Sequence, residues 1–189
     1  SDLRRQRQMC IRDSFSDERV NGLMDNRWSI SVWANADEDM NKFASIISTT
    51  AKNSEAGYAD GWDNGFQIDV TDDMEVRVFF SKTGNDPNQL NSRQVLTKGE
   101  WNHFAVTYDN GALKFFINGI KVREGDGFNL GWNRLKVGVN RFGVENWKGF
   151  IDDLKVFGRT LTPAEVVEEF EGTLPAKVQN VAALNLGEQ

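Results

Sequence analysis

Four aromatic side chains stand in segments otherwise rich in Asp, Asn and Gly. Tyr58 and Trp62 lie in TAKNSEAGYADGWDN, Trp132 in a Gly-rich connection from Glu124 to Arg134, and Trp147 in NRFGVENWK. Rings of this kind stack on the apolar C–H faces of sugars, while nearby carboxylates, amides and guanidinium groups satisfy the hydroxyls. Asp60, Asp63, Asn64, Asn140 and Arg141 supply such groups in the same segments. The set Tyr58, Trp62, Asp63, Asn64, Trp132, Asn140, Arg141 and Trp147 is therefore a candidate ligand site at one edge of the folded body. Each Trp taken alone also reads as a lid on the core, and spacing does not say whether the rings converge.

Acid–base chemistry finds less support. His103 is the single histidine, and no nucleophile motif accompanies it. Asp72, Asp73 and Glu75 cluster at a turn, and the adjacent Asp152 and Asp153 point to opposite faces of one strand. Retaining glycoside hydrolysis needs two carboxylates about 5–5.5 Å apart across the scissile bond, and no same-face pair of that kind is present. The chain is not expected to be an enzyme. Asp152 shares strand parity with Leu154 and Val156, which places it inward, and a buried carboxylate must be paired, hydrogen-bonded or metal-bound.

The elements that would carry these residues are strands. In WNHFAVTYDNGALKFFINGIKV, residues 101–122, apolar side chains alternate through Phe104, Val106 and Tyr108, then through Leu113, Phe115 and Ile117. Asp109-Asn110-Gly111 and Asn118-Gly119 supply hairpin residues that tolerate positive φ, so this stretch predicts an antiparallel meander. The same period recurs at Trp28, Ile30 and Val32, at Phe66, Ile68 and Val70, at Met74, Val76, Val78 and Phe80, and at Leu135, Val137 and Val139. Residues 43–50 and 149–157 predict further strands. Lys82 to Arg93 reads as a polar loop before a short strand at Gln94-Val95-Leu96. About ten short strands with frequent turns predict an all-β, two-sheet antiparallel sandwich. One helix follows, because Thr162-Pro163-Ala164-Glu165 is a capping box with Pro at the first helical position, and Gly172 can end it.

Several of these motifs, in order, resemble the laminin G-like domain of the concanavalin A-like jelly-roll superfamily. They are Trp28-Ser29-Ile30-Ser31-Val32-Trp33, then Trp101-x-His103-x-Ala105-Val106-Thr107-Tyr108-Asp109, Leu113-x-x-x-x-Asn118-Gly119, Gly149 to Phe157, and Arg159-Thr160-Leu161-Thr162. The resemblance spans residues 15–172 and implies a core-packing role for Trp33 and a hydrogen-bonded strand role for His103. It also implies a noncatalytic carbohydrate- or protein-binding module of a secreted or cell-surface multidomain protein. A structural spacer or adhesion domain without a glycan site is the alternative, and a glycanase of the same fold the third. Many relatives hold a structural Ca²⁺, which here would use Asp152 with oxygens from Asp17 or Asn21. Such an ion takes six to eight oxygens. The alternative at Asp152 is a carboxylate that accepts backbone N–H groups from a turn.

The 189 residues suit one domain with a substantial core. Residues 4–13, RRQRQMCIRD, match a frame of a transposase library adapter, so residues 1–14 are expected to be translated adapter and unstructured. Cys10, the single cysteine, falls within them. The net charge is −6, and without residues 1–14, which hold four Arg and two Asp, it is −8. Neither value favours nucleic acid as a partner, and no apolar run reaches membrane-spanning length. Residues 173–189 read as a linker and the possible start of a fibronectin type III-like domain, so the expected partners are an extracellular glycan or protein and neighbouring domains of the same chain.

Overall fold

The structure is a computed structural model that describes residues 8–9, 13–15, 26–50, 65–81, 87–127, 134–140 and 143–172. Twelve strands are β1 (Gln8–Met9), β2 (Asp13–Phe15), β3 (Arg27–Ala36), β4 (Ser45–Thr50), β5 (Gly65–Val70), β6 (Glu75–Ser81), β7 (Pro87–Val95), β8 (Trp101–Asp109), β9 (Ala112–Ile117), β10 (Ile120–Asp126), β11 (Arg134–Val137) and β12 (Gly149–Phe157), followed by helix α1 (Pro163–Gly172). They form two antiparallel sheets. The first runs β1-β12-β3-β8-β9-β10 and the second β2-β11-β4-β5-β6-β7.

The alternating residues meet between the sheets. Trp28, Ile30, Val32, Phe66, Ile68, Val70, Val78, Phe80, Phe104, Val106, Leu113 and Phe115 are all buried in one cluster, so period-two burial drives the sandwich. Trp28 meets Phe66 edge-on at 5.4 Å across the layers and stacks on Tyr108 at 5.5 Å within its own sheet. The hairpins turn where glycine and asparagine allow it: Asn110 and Gly111 have φ of 45° and 105°, and Asn118 and Gly119 have 49° and 77°.

A second, smaller cluster lies outside the first sheet. Ala105, Phe116, Leu161 and Val166 are buried there with Phe157 against them, because α1 lies over this face. The capping box forms, with Thr162 N donating to Glu165 Oε2 at 2.8 Å and Glu165 N donating to Thr162 Oγ1 at 3.3 Å. Leu161 N donates to Ser29 Oγ at 2.8 Å and Thr160 Oγ1 to the Tyr108 carbonyl at 2.6 Å, which anchors the turn into the helix. Trp33 does pack, but under this helix, stacked on Phe170 at 5.6 Å, and not between the sheets.

Three expectations need correction. The stretch read as a polar loop is mostly strand: β7 runs from Pro87 and pairs with β6 through Asn88↔Phe80, Gln89↔Phe79 and Asn91↔Arg77. It is an edge strand whose apolar contribution to the core is Leu90, so a polar sequence still satisfies it, and Pro is tolerated at its first position. Asp152 does not point inward. The β12–β3 register slips between Asp152↔Trp33 and Lys155↔Ser31, one extra residue on β12, with Asp153 at φ 50°. This bulge breaks the parity: Ile151, Leu154 and Val156 pack on the core while Asp152 and Asp153 are exposed. Finally, Gln8–Met9 pairs with β12 and Asp13–Phe15 with β11, so the expectation of an unstructured segment does not hold for these residues. Edge pairing uses backbone groups and is indifferent to which side chains supply them.

Candidate functional site

The outer face of the second sheet carries the polar grid that the sequence reading passed over. Cross-strand register sets two rows on it. One runs Lys136, Ser48, Gln67, Phe79, Gln89 and the next Ser45, Asp69, Arg77, Asn91. The intervening positions Phe66, Ile68, Val76, Val78 and Leu90 face the core, so strand alternation alone delivers these side chains to one surface.

Asp69 is the centre of the grid. Its side chain is fully buried, and that of Arg77 is 16% exposed. Arg77 Nε donates to Asp69 Oδ1 at 2.8 Å and Nη2 to Oδ2 at 3.1 Å, a bidentate pair. Gln67 Nε2 donates to Asp69 Oδ2 at 2.5 Å, and Arg77 Nη1 to Gln89 Oε1 at 2.9 Å. The guanidinium carbon lies 5.2 Å from the Phe79 ring centroid and 6.0 Å from that of Phe43. Ser48 Oγ donates to the Val139 carbonyl at 2.8 Å, tying β4 to the chain beyond β11.

Not every polar atom on this face is satisfied. Ser45 Oγ, Gln67 Oε1 and Asn91 Oδ1 are buried and have no hydrogen-bond partner among the described residues. Buried polar groups are nearly always paired; His103 Nδ1, beneath α1, is another such atom, and the three here lie in two adjacent rows. The Asp69–Arg77 pair adds buried charge to the same face, and burying an ion pair yields little net stability compared with apolar side chains.

The opposite outer face is closed. His103 is buried beneath α1, 5.3 Å from the Trp33 ring and 6.0 Å from Phe170. Its Nε2 is 2.7 Å from Ser31 Oγ, its backbone N–H donates to Asn118 Oδ1 at 2.8 Å, and burial, helped by the Lys155 charge, lowers its pKa to about 4. It is the hydrogen-bonded strand residue that the resemblance implied, neutral at pH 7 and walled from solvent.

Of the candidate residues on loops, two are described. Trp147 is 1% exposed, belongs to the main core cluster, and donates from Nε1 to the Asn35 carbonyl at 3.2 Å. Asn140 is 2% exposed; its Oδ1 accepts from Val144 N at 3.0 Å and its Nδ2 donates to Glu145 Oε2 at 2.5 Å. Trp147 is thus a lid on the core and Asn140 a turn-former, and neither offers a free face to a ligand. Tyr58, Trp62, Asp63, Asn64, Trp132 and Arg141 lie outside the described residues, as do Asp17, Asn21 and residues 173–189.

The calcium set is not assembled by what is described. Asp152 is exposed, its Oδ1 already accepts from Asp153 N at 2.9 Å, and partial desolvation raises its pKa. That is the turn-accepting carboxylate of the alternative reading. Among the described residues no group of three or more His, Cys, Asp or Glu side chains converges, and the other two members of the calcium set, Asp17 and Asn21, lie outside them.

The two stacked antiparallel sheets form a jelly-roll sandwich, with α1 against one outer face and interlocked polar side chains on the other. The sequence bears this out: a laminin G profile of the concanavalin A-like lectin/glucanases superfamily matches residues 13–167, and the chain belongs to that superfamily. Human pappalysin-1 is 25% identical over 156 residues, which cover 76% of this chain; the chain spans 10% of that relative's length. Domain 4 of AbnA, a GH43 extracellular arabinanase from Geobacillus stearothermophilus, in complex with arabinotriose, is similar at a TM-score of 0.62 and 24% identity, covering 78% of this chain and 68% of that one. The Ruminococcus gnavus IT-sialidase CBM40 bound to α2,3-sialyllactose is similar at a TM-score of 0.66 and 15% identity, covering 86% and 95%. At such identities the structural likeness establishes the fold.

Proposed function

We propose that this chain is a noncatalytic carbohydrate-binding module of a secreted or cell-surface protein and that the outer face of the second sheet is its recognition surface. The observation that carries the reading is the grid centred on Asp69 and Arg77, with three polar atoms left to be satisfied on a face that no described helix covers. Sugars are read by such arrays of side chains locked by their neighbours. Two similar structures were solved with an oligosaccharide, and one of these belongs to an extracellular enzyme.

The same geometry supports a noncatalytic role. Glycoside hydrolysis needs a proton-donating acid and a second carboxylate in reach of the sugar. On this face the central carboxylate, Asp69, is engaged by Arg77 and Gln67. Binding of the full chain to immobilised oligosaccharides, weakened by Gln89→Ala without loss of thermal stability and with no release of reducing sugar, is the expected outcome. Turnover of a bound oligosaccharide would contradict the reading.

A further inference from the structure

At the centre of the recognition face the charges of Asp69 and Arg77 cancel, and two of its three unmatched atoms, Gln67 Oε1 and Asn91 Oδ1, are amide oxygens. We infer that the oligosaccharide it takes is a neutral one, held through its hydroxyl protons, and that an acidic sugar gains nothing here. This rests on the glycan-binding reading above and specifies its ligand class.

Arginine reads a carboxylate through two parallel N–H bonds from one edge of its guanidinium. In Arg77 the Nε–Nη2 edge is used by Asp69, and Nη1 by Gln89. The ring of Phe79 lies against the guanidinium at 5.2 Å. An incoming carboxylate would find the Nε–Nη2 edge and one Nη1 proton already taken, three of the five N–H donors, and would sit beside the buried Asp69 charge. The other cation in the grid, Lys136, is engaged in an interaction of its own. The chain as a whole carries −6, which adds a weak long-range penalty to any anionic ligand.

The unmatched atoms have the opposite requirement. Gln67 is 6% exposed, and its amide orientation is fixed, because Nε2 faces Asp69, a group that only accepts. Its Oε1 is therefore left as an acceptor, and Asn91 Oδ1 in the adjacent row is a second. A sugar hydroxyl donates to such oxygens; an ionised carboxylate has no proton to give. Both oxygens are buried in the free chain, so binding involves a local side-chain shift that exposes them to the ligand hydroxyls.

The test is an array of neutral and acidic glycans probed with the full chain, followed by calorimetry with the tightest neutral binder and with lactose against 3′-sialyllactose. The expected result is a neutral bound set, no gain on sialylation, and a loss of about fivefold in affinity for Asn91→Ala, the equivalent of one neutral hydrogen bond. The melting temperature of Asn91→Ala should be unchanged or raised, whereas a merely structural residue would lower it. A bound set dominated by sialylated or uronate glycans, weakened by salt, overturns this inference and leaves the glycan-binding reading intact. Neutral binding that is indifferent to both Asn91→Ala and Gln67→Leu overturns the placement of the acceptors. An array with no bound glycan overturns both readings.

Discussion

Asp69 on β5 and Arg77 on β6 face each other in register on the outside of the second sheet, joined by hydrogen bonds of 2.8 and 3.1 Å, with the carboxylate fully buried. The two groups are inseparable energetically. Removing one strands the other's charge in a place that water does not reach, and truncating one partner of a buried pair costs about 3–5 kcal/mol. Asp69→Ala should therefore lose stability of that order by denaturant unfolding. Asp69→Leu combined with Arg77→Leu should recover most of it while abolishing glycan binding. If the double variant were no more stable than Asp69→Ala, the pair would not be the origin of the loss.

Gly149 opens β12 at φ 125°, and a β-carbon there would lie 2.1 Å from the Asn35 carbonyl oxygen. The obstacle is backbone of the paired strand β3, which cannot swing aside. Gly149→Ala should cost at least about 2 kcal/mol, read as a lowered denaturation midpoint. Gly143→Ala, whose β-carbon meets nothing within 4 Å although φ is 79°, should cost less. Equal losses for the two would refute the steric account.

His103 gives the domain a pH dependence of definite sign. Its folded pKa is about 4 against 6.5 for the free side chain, with burial as the first cause and Lys155 as the second. The unfolded chain therefore binds a proton between these values that the folded chain refuses. The stability is fully present above about pH 6.5, falls as pH drops towards 4, and levels off below. The loss is on the order of 3 kcal/mol. Denaturant unfolding at pH 7 and pH 4.5 should show it, and His103→Gln should flatten the difference. A wild-type slope retained in the variant would assign the effect to carboxylates.

Much of the sandwich is legible in the sequence because burial and hairpin chemistry agree. Phe104, Val106, Tyr108, Leu113, Phe115 and Ile117 alternate and are buried, and Asn110-Gly111 and Asn118-Gly119 adopt the positive φ their types allow. The helix start is equally plain, since Thr162 and Glu165 form both bonds of the capping box. Asp152 was misplaced because strand parity holds only without a bulge, and an Asp at φ 50° leaves no glycine to announce one. The face proposed here for recognition was passed over for a different reason. Polar residues alternating with Phe66, Ile68 and Val70 read by default as a solvated face, and only cross-strand register shows that Gln67, Asp69, Arg77 and Gln89 interlock beside Asn91. Aromatic residues in loops drew the reading instead, and Trp147 proved to be core.

The central claim is that the outer face of the second sheet, and not the helix-covered face, meets the sugar. Backbone amide NMR of the full chain during titration with the tightest oligosaccharide from the array tests it most directly. Shifts concentrated at Gln67, Asp69, Arg77, Gln89 and Asn91, with His103 and Phe170 silent, are the predicted result. Shifts gathered around His103, Phe170 and α1, with Gln67 and Arg77 unmoved, would contradict it.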